Sequence, residues 1–65
     1  MNTAKIQAIA EMFNKAYDLC FSSDPYARSE ANELSERARA LFESLSPIEK
    51  AHCHSLQAKH RGVKQ

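Results

Sequence analysis

Apolar residues in the first third of the chain recur with the period of an α-helix. From Ile6 onward they are spaced alternately three and four residues apart, so they share one side of a helix. This stripe consists of Ile6, Ile9, Phe13, Ala16 and Cys20. Neighbouring apolar residues widen the stripe to roughly 200°, about twice the arc that a surface helix needs. The pattern predicts a first helix over residues 4–21, N-capped by Thr3, that requires packing neighbours on two sides.

A second apolar stripe follows the segment Ser22-Ser23-Asp24-Pro25. Proline is favourable at the first position of a helix, and aspartate is favourable as the N-cap before it. The stripe that follows is spaced four, three, four, three and four residues apart. It consists of Ala27, Ala31, Leu34, Ala38, Leu41 and Leu45. We therefore predict a second helix over residues 25–44, antiparallel to the first because the connection is short, with alanines that allow close approach.

The segment Ser46-Pro47-Ile48-Glu49 predicts the start of a third helix. It combines a capping box with a proline at the first helical position. This helix should span residues 47–61, with Gly62 as its stop signal and residues 62–65 as a frayed tail. Its apolar stripe is thin and can be drawn in two ways: along Ile48, Ala51, Ser55 and Ala58, or along Ile48, His52, Leu56 and Val63. The predicted fold is all-α, an antiparallel helical hairpin plus a shorter third helix, in one three-helix domain over residues 1–65.

Composition places the chain among small intracellular domains. Its 65 residues carry a net charge of +1, which provides no overall attraction to nucleic acid or to an anionic membrane. Cys20 and Cys53 lie in separate segments, so we expect two reduced and mostly buried thiols. No basic region followed by an apolar run marks a signal peptide, and no apolar run could cross a bilayer. We expect a cytoplasmic protein without a membrane partner.

The cluster His52-Cys53-His54, with His60 downstream, is the one group of residues that suggests chemistry. Metal ligands on a single helix need spacings of three or four residues, whereas consecutive residues point about 100° apart. We therefore expect no bound metal, no cofactor, no catalytic residues and no enzymatic activity. A metal-responsive or redox-responsive module built on Cys53 and these histidines is a third and weaker class of function.

The third helix and the tail are basic, which suggests a nucleic-acid-binding alternative. In a helix–turn–helix arrangement the third helix would be the reading helix. Its outward side chains would then be Lys50, His54, Gln57 and Arg61. The net charge of only +1 and the acidic second helix favour a solvated basic face instead, so a small DNA- or RNA-binding regulator is the alternative function.

The apolar excess of the first helix has two interpretations. Either it completes a simple three-helix core, or it forms an interface, since the third helix is too polar to cover it. The interface residues would be Met12, Tyr17, Leu19 and Phe21. The layout resembles that of small helical dimers that regulate larger machinery. The predicted function is a small non-enzymatic adaptor or inhibitor that binds a protein partner through its helices, as a homodimer.

Overall fold

A computed structural model describes residues 2–62 and contains three α-helices in that range. They are α1 (Thr3–Leu19), α2 (Pro25–Phe42) and α3 (Pro47–His60). The described residues form no β-strand, and the three helices pack as a small bundle. The predicted fold class is therefore confirmed, and the predicted ends differ from the observed ones by one or two residues.

Two of the three predicted N-caps are confirmed. The Asp24 side chain accepts a hydrogen bond from the Tyr26 N–H, with Pro25 in the first turn of α2. Ser46 and Glu49 form the predicted capping box at the start of α3. The prediction for α1 is wrong: Thr3 is already helical, and Asn2 is the N-cap, accepting from the Lys5 N–H at 3.0 Å. Asparagine and threonine are both favourable N-caps, so residue type alone does not show which of the neighbours Asn2 and Thr3 caps the helix.

Helices α1 and α2 each end two residues before the predicted position. After α1, the Ser22 N–H bonds to the Leu19 carbonyl at 3.0 Å, which tightens the chain into a turn. After α2, the Leu45 N–H bonds to the Phe42 carbonyl at 3.0 Å, in a turn of the same kind. Gly62 has a φ of 74°, as expected for the residue that stops α3. Val63, Lys64 and Gln65, to which we assigned a seam position and a frayed end, lie outside the described residues.

Helix α1 lies between the other two helices. Its start contacts the end of α2, where Lys5 Nζ is 3.1 Å from Ser44 Oγ, so the predicted antiparallel hairpin is present. Its end contacts the end of α3, through Asp18 and His60, so α3 runs parallel to α1. Helices α2 and α3 approach each other only weakly, and the molecule is flattened, with extents of 37 × 27 × 16 Å. The central helix thus has the two packing neighbours that its wide apolar arc requires.

The core follows the predicted stripes on α1 and α2 only in part. Ala38 and Ala31 are buried, which confirms the alanine seam of α2. Two predicted core residues are exposed: Cys20, beyond the last turn of α1, and Leu41, whose exposure is 41%. The buried cluster comprises Ile6, Ile9, Ala10, Ala38, Leu45 and Cys53, and half-buried Met12, Phe13, Phe42 and Leu56 pack against it.

Neither predicted seam of α3 is the face that is buried, although Leu56 of the second seam packs half-buried against the core cluster. The face that turns inward carries Cys53, which is fully buried, and Gln57, which is 9% exposed. Ile48, the residue that began both predicted seams, is 74% exposed. Gln57 satisfies its amide by donating to Cys53 Sγ at 3.8 Å. The buried stripe contains a thiol and an amide, so a search for aliphatic residues favours the wrong side of the helix.

Helix α3 covers the side of α1 that carries Tyr17 and Asp18, which it contacts through Arg61 and His60. Helical geometry places Leu19 roughly 160° from Tyr17 around α1, and Met12 roughly 140° from it. The flank that carries Met12 and Leu19 is therefore not the one that α3 packs against, and both side chains are half-buried.

Candidate functional site

Phe42, in the last turn of α2, is the point where aromatic side chains from all three helices meet. Its ring lies edge-to-face against Phe13 of α1, with centroids 6.0 Å apart. It also lies edge-to-face against the His54 ring of α3, at 5.1 Å. Lys50 Nζ lies 5.6 Å from the centroid of the Phe42 ring, within cation–π range. One half-buried ring thus connects the three helices on a single side of the molecule.

A second aromatic pair lies further along α1. Tyr17 is one helical turn beyond Phe13, so both side chains project to the same side. The Tyr17 ring meets Phe21 edge-to-face at 5.0 Å, and the Arg61 guanidinium lies 4.5 Å from its centroid. The spacing of four residues between Phe13, Tyr17 and Phe21 is visible in the sequence. The two basic residues stacked on this side, Lys50 and Arg61, are brought there by α3.

Between these aromatic residues lies an open groove of about 380 Å³, which we call the α2–α3 groove. It exists because α2 and α3 diverge and leave part of α1 uncovered. Its lining comes from all three helices and the turn after α2: Phe13, Ser35, Arg39, Phe42, Glu43, His54, Gln57 and Arg61. The groove thus combines two aromatic rings at its floor with polar and charged side chains along its walls.

The charges of the α2–α3 groove are mainly positive. Two guanidinium groups, on Arg39 and Arg61, line it against one carboxylate, on Glu43. That carboxylate already has a basic neighbour, because Lys50 Nζ lies 3.7 Å from Glu43 Oε2. The Glu43 side chain is 68% exposed and the Lys50 side chain is 34% exposed, so solvent screens the pair and the attraction between them is weak. A ligand in the groove therefore meets two guanidinium groups that have no carboxylate of the described residues within ion-pair distance.

The four residues predicted to form a protein interface do not lie together. Tyr17 and Phe21 contact each other beside the α2–α3 groove, and the Phe21 ring is 72% exposed. Met12 and Leu19 lie on the opposite flank of α1, where Met12 packs against the buried cluster. The structure thus separates the predicted patch into an exposed aromatic pair and a pair of half-buried aliphatic side chains.

The four residues predicted to contact nucleic acid are also not equivalent. Gln57 is buried against Cys53, so the expectation that it projects outward is wrong. Lys50 and Arg61 rest on the aromatic rings of Phe42 and Tyr17. Only His54 and Arg61 of this set are exposed, and both line the α2–α3 groove. The basic side of α3 therefore belongs to the same surface as the aromatic residues of α1 and α2.

The histidine–cysteine cluster does not converge in the structure. Cys53 is buried, and this burial raises the pKa of its thiol, which keeps the thiol protonated and unreactive at neutral pH. His54 turns to Phe42, whereas His60 bonds to Asp18 at 2.9 Å. Within residues 2–62, no three His, Cys, Asp or Glu side chains are grouped as metal ligands would be.

Two other depressions occur on the described surface. One, of about 470 Å³, runs along the start of α2 and is lined largely by carboxylates, together with the exposed Tyr26 ring. The other, of about 210 Å³, lies between α1 and α3, where the buried Asn14 Oδ1 has no hydrogen-bond partner among residues 2–62. Neither depression has a half-buried aromatic floor. We therefore take the α2–α3 groove as the candidate site.

Sequence reasoning missed five of the eight residues that line this site: Phe13, Ser35, Arg39, Phe42 and Glu43. It placed Phe13 in the apolar stripe of the first helix and gave the other four no role in a site. Phe42 follows Arg39 by three residues, so a shared face was detectable. The divergence of α2 from α3, which exposes Phe13 at the floor, was not detectable.

No family model, no curated protein and no solved structure matches this chain. Among residues 2–62, no helix combines the length and the hydrophobicity that crossing a membrane requires.

Proposed function

We propose that this chain is a small non-enzymatic protein-binding module, an adaptor or inhibitor, that receives its partner in the α2–α3 groove. The observation that supports this proposal is the aromatic floor of the groove. Phe13 and Phe42 are large, half-buried and held against each other at 6.0 Å, yet remain accessible between two diverging helices. Positioned aromatic rings in an accessible concavity are typical of the residues that contribute most binding energy in protein interfaces.

The polar lining of the groove favours binding over catalysis. Ser35 and His54 both line it, but in the described part of the chain no hydrogen bond joins them, and His54 instead meets the edge of Phe42. Glu43 is engaged by Lys50 rather than by His54. A serine without a base in hydrogen-bond contact is a weak nucleophile, so these residues do not constitute an activated catalytic group.

A second copy of the chain is one partner that the proposal includes. The Phe21 ring is 72% exposed and meets Tyr17 edge-to-face, so in the single chain it leaves a large apolar area in water. Burial of such a side chain in an interface stabilises a complex by about 1.5–3 kcal/mol. We therefore propose self-association through Tyr17 and Phe21 rather than through Met12 and Leu19.

The nucleic-acid alternative has less support from the geometry. Reading bases requires outward polar side chains that are free to reach them. Of the four predicted contacts, Gln57 is buried and Lys50 is half-buried, which leaves only His54 and Arg61 exposed. This alternative makes its own prediction: Lys50→Glu with Arg61→Glu should abolish a salt-sensitive shift of duplex DNA or RNA.

The proposal is tested by blocking the groove. Ser35→Trp introduces an indole into its lining, whereas Ser29→Trp introduces the same side chain on an exposed position of α2 outside the groove. Chemical crosslinking in host extract followed by affinity capture should yield at least one protein with the wild type and with Ser29→Trp, and should lose it with Ser35→Trp. Circular dichroism should show that both variants are helical.

Two results would contradict this proposal. The first is a captured protein that Ser35→Trp retains as well as the wild type does. The second is capture that nuclease treatment abolishes, which would favour the nucleic-acid alternative. Loss of capture with Ser29→Trp alone would instead assign the partner to the carboxylate-lined depression at the start of α2.

A further inference from the structure

We propose that the occupant of the α2–α3 groove is an amphipathic helical segment with acidic flanks, contributed by a protein partner. This inference rests on the proposed function and specifies the chemistry of the partner. Three features of the groove lead to it: the architecture of its walls, its aromatic floor and the sign of its charges.

The walls of the groove favour a helical occupant over an extended one. Each wall is an α-helix whose backbone N–H and C=O groups are already paired within the helix. An extended peptide would therefore find no strand edge in the groove, and its own backbone groups would lose water without gaining partners. A helical segment satisfies its backbone internally and presents a stripe of side chains to the groove.

The floor of the groove requires apolar anchors on that stripe. Phe13 and Phe42 both line the groove. Tyr17 adjoins the groove through the lining residue Arg61 and forms an edge-to-face pair with the exposed Phe21 ring. Phe13 and Tyr17 lie one helical turn apart on α1, so a helix aligned with α1 can match them with residues at the same spacing. Aliphatic or aromatic residues at positions i, i+3 or i+4, and i+7 of the partner would supply these contacts.

The positive charges of the groove favour a partner whose helix has acidic flanks. Arg39 belongs to the α2 wall and Arg61 follows the last turn of the α3 wall, so a guanidinium group stands on each side of the aromatic floor. The single lining carboxylate, on Glu43, is neighboured by Lys50. Arginine pairs with carboxylates through two parallel hydrogen bonds, a geometry that an approaching Glu or Asp can meet. A partner with basic flanks would be repelled from both walls.

The test compares two synthetic peptides that differ only in the charge of their flanks. Both are helical, about 15 residues long and therefore about four turns, with the same leucine stripe. One carries Glu on both flanks and the other carries Lys. Fluorescence anisotropy with the full chain should give a dissociation constant for the Glu peptide at least about tenfold lower than for the Lys peptide, at low salt. This preference should decrease as the salt concentration rises.

Charge reversal in the protein supplies the decisive comparison. Arg39→Glu with Arg61→Glu should reverse the preference, so that the Lys peptide binds more tightly. Arg37→Glu with Lys59→Glu makes the same change in net charge on the same two elements, at exposed positions outside the groove, and should leave the preference for Glu intact. An unreversed preference in the first variant, or a reversed one in the second, would overturn the inference.

The remaining outcomes separate this inference from the proposed function. Equal binding of the two peptides, or displacement of the Glu peptide by a mixed-sequence oligonucleotide at lower concentration than by unlabelled peptide, would also overturn the inference. If Ser35→Trp nevertheless abolishes capture of a protein partner, the proposed function stands and only the acidic-helix occupant fails. If Ser35→Trp leaves capture unchanged, the groove is not the binding site and both proposals fail.

Discussion

Glu49 joins the starts of two helices through one half-buried side chain. Its carboxylate accepts hydrogen bonds from the backbone N–H of Ser46 at 3.0 Å and from that of Asn2 at 3.3 Å. The same residue therefore caps α3 and ties the start of α3 to the start of α1. These bonds, first that of Ser46 and then that of Asn2, lower the pKa of the Glu49 carboxyl below its usual value of 4.5. The sequence predicted the first contact, whereas the second depends on the tertiary arrangement.

At this scale we expect the stability of the protein to depend on the ionisation of Glu49. A carboxyl whose pKa is lowered in the folded state stabilises that state above its unfolded pKa, and the effect is lost as the pH falls through the folded pKa. Glu49→Gln should therefore lower the urea midpoint at pH 7, and the difference from the wild type should disappear on acidification below the usual value of 4.5.

Glu33→Gln, which removes an exposed carboxylate in the middle of α2, is the control and should show no such convergence with the wild type. A Glu49→Gln variant that is equally destabilised at neutral and at acid pH would show that the ionised carboxylate is not what stabilises the cap.

At the scale of the elements, the alanine seam of α2 is the feature that sequence predicted best. Ala38 is fully buried in one cluster with Ile6 and Ile9 of the central helix, and Ala31 is 5% exposed. The seam was predictable because its apolar residues alternate four and three positions apart, which places them all on one face of a helix. Helix α3 offers no such regularity. Its buried stripe of Cys53 and Gln57 is chosen by contact with α1 and not by its own hydrophobicity.

Replacing an alanine of the α2 seam with a larger residue should force α1 and α2 apart. Ala38→Leu adds three heavy atoms where no space remains, and overpacking of this kind costs about 1–3 kcal/mol of folding free energy. For a domain of this size the melting temperature should fall by about 4–8 °C for each kcal/mol.

Ala40→Leu, two residues further along α2 at an exposed position, is the matched control and should change the melting temperature little. Equal melting temperatures for the two variants, measured by circular dichroism, would mean that Ala38 does not lie at a close helix contact.

At the scale of the whole molecule, the central position of α1 determines which surfaces remain free. Helices α2 and α3 each pack against α1 and only weakly against each other, so the space between them opens as a groove. The same arrangement brings Arg61 onto Tyr17, next to Phe21. Residues predicted for two different functions thus lie on one surface.

We expect the chain to self-associate through this surface. Phe21→Asp should convert dimer to monomer in sedimentation equilibrium while leaving the circular dichroism helical, because the Phe21 ring is largely exposed in the single chain. Tyr26→Asp, at an aromatic residue that is 86% exposed near the start of α2, is the control and should leave the dimer intact. A wild-type chain that sediments as a monomer at high micromolar concentration would rule out this interface.

The sequence by itself determined the number of helices, two of their three N-caps and the alanine seam. These features follow from hydrogen bonds and side-chain spacings that reach no further than four residues along the chain. Only the tertiary structure decided that Cys20 is exposed, that Gln57 is buried and that Phe13 lines the floor of a groove. A helix with several weakly apolar faces buries the one that its neighbour covers best, and that choice depends on contacts between residues distant in sequence.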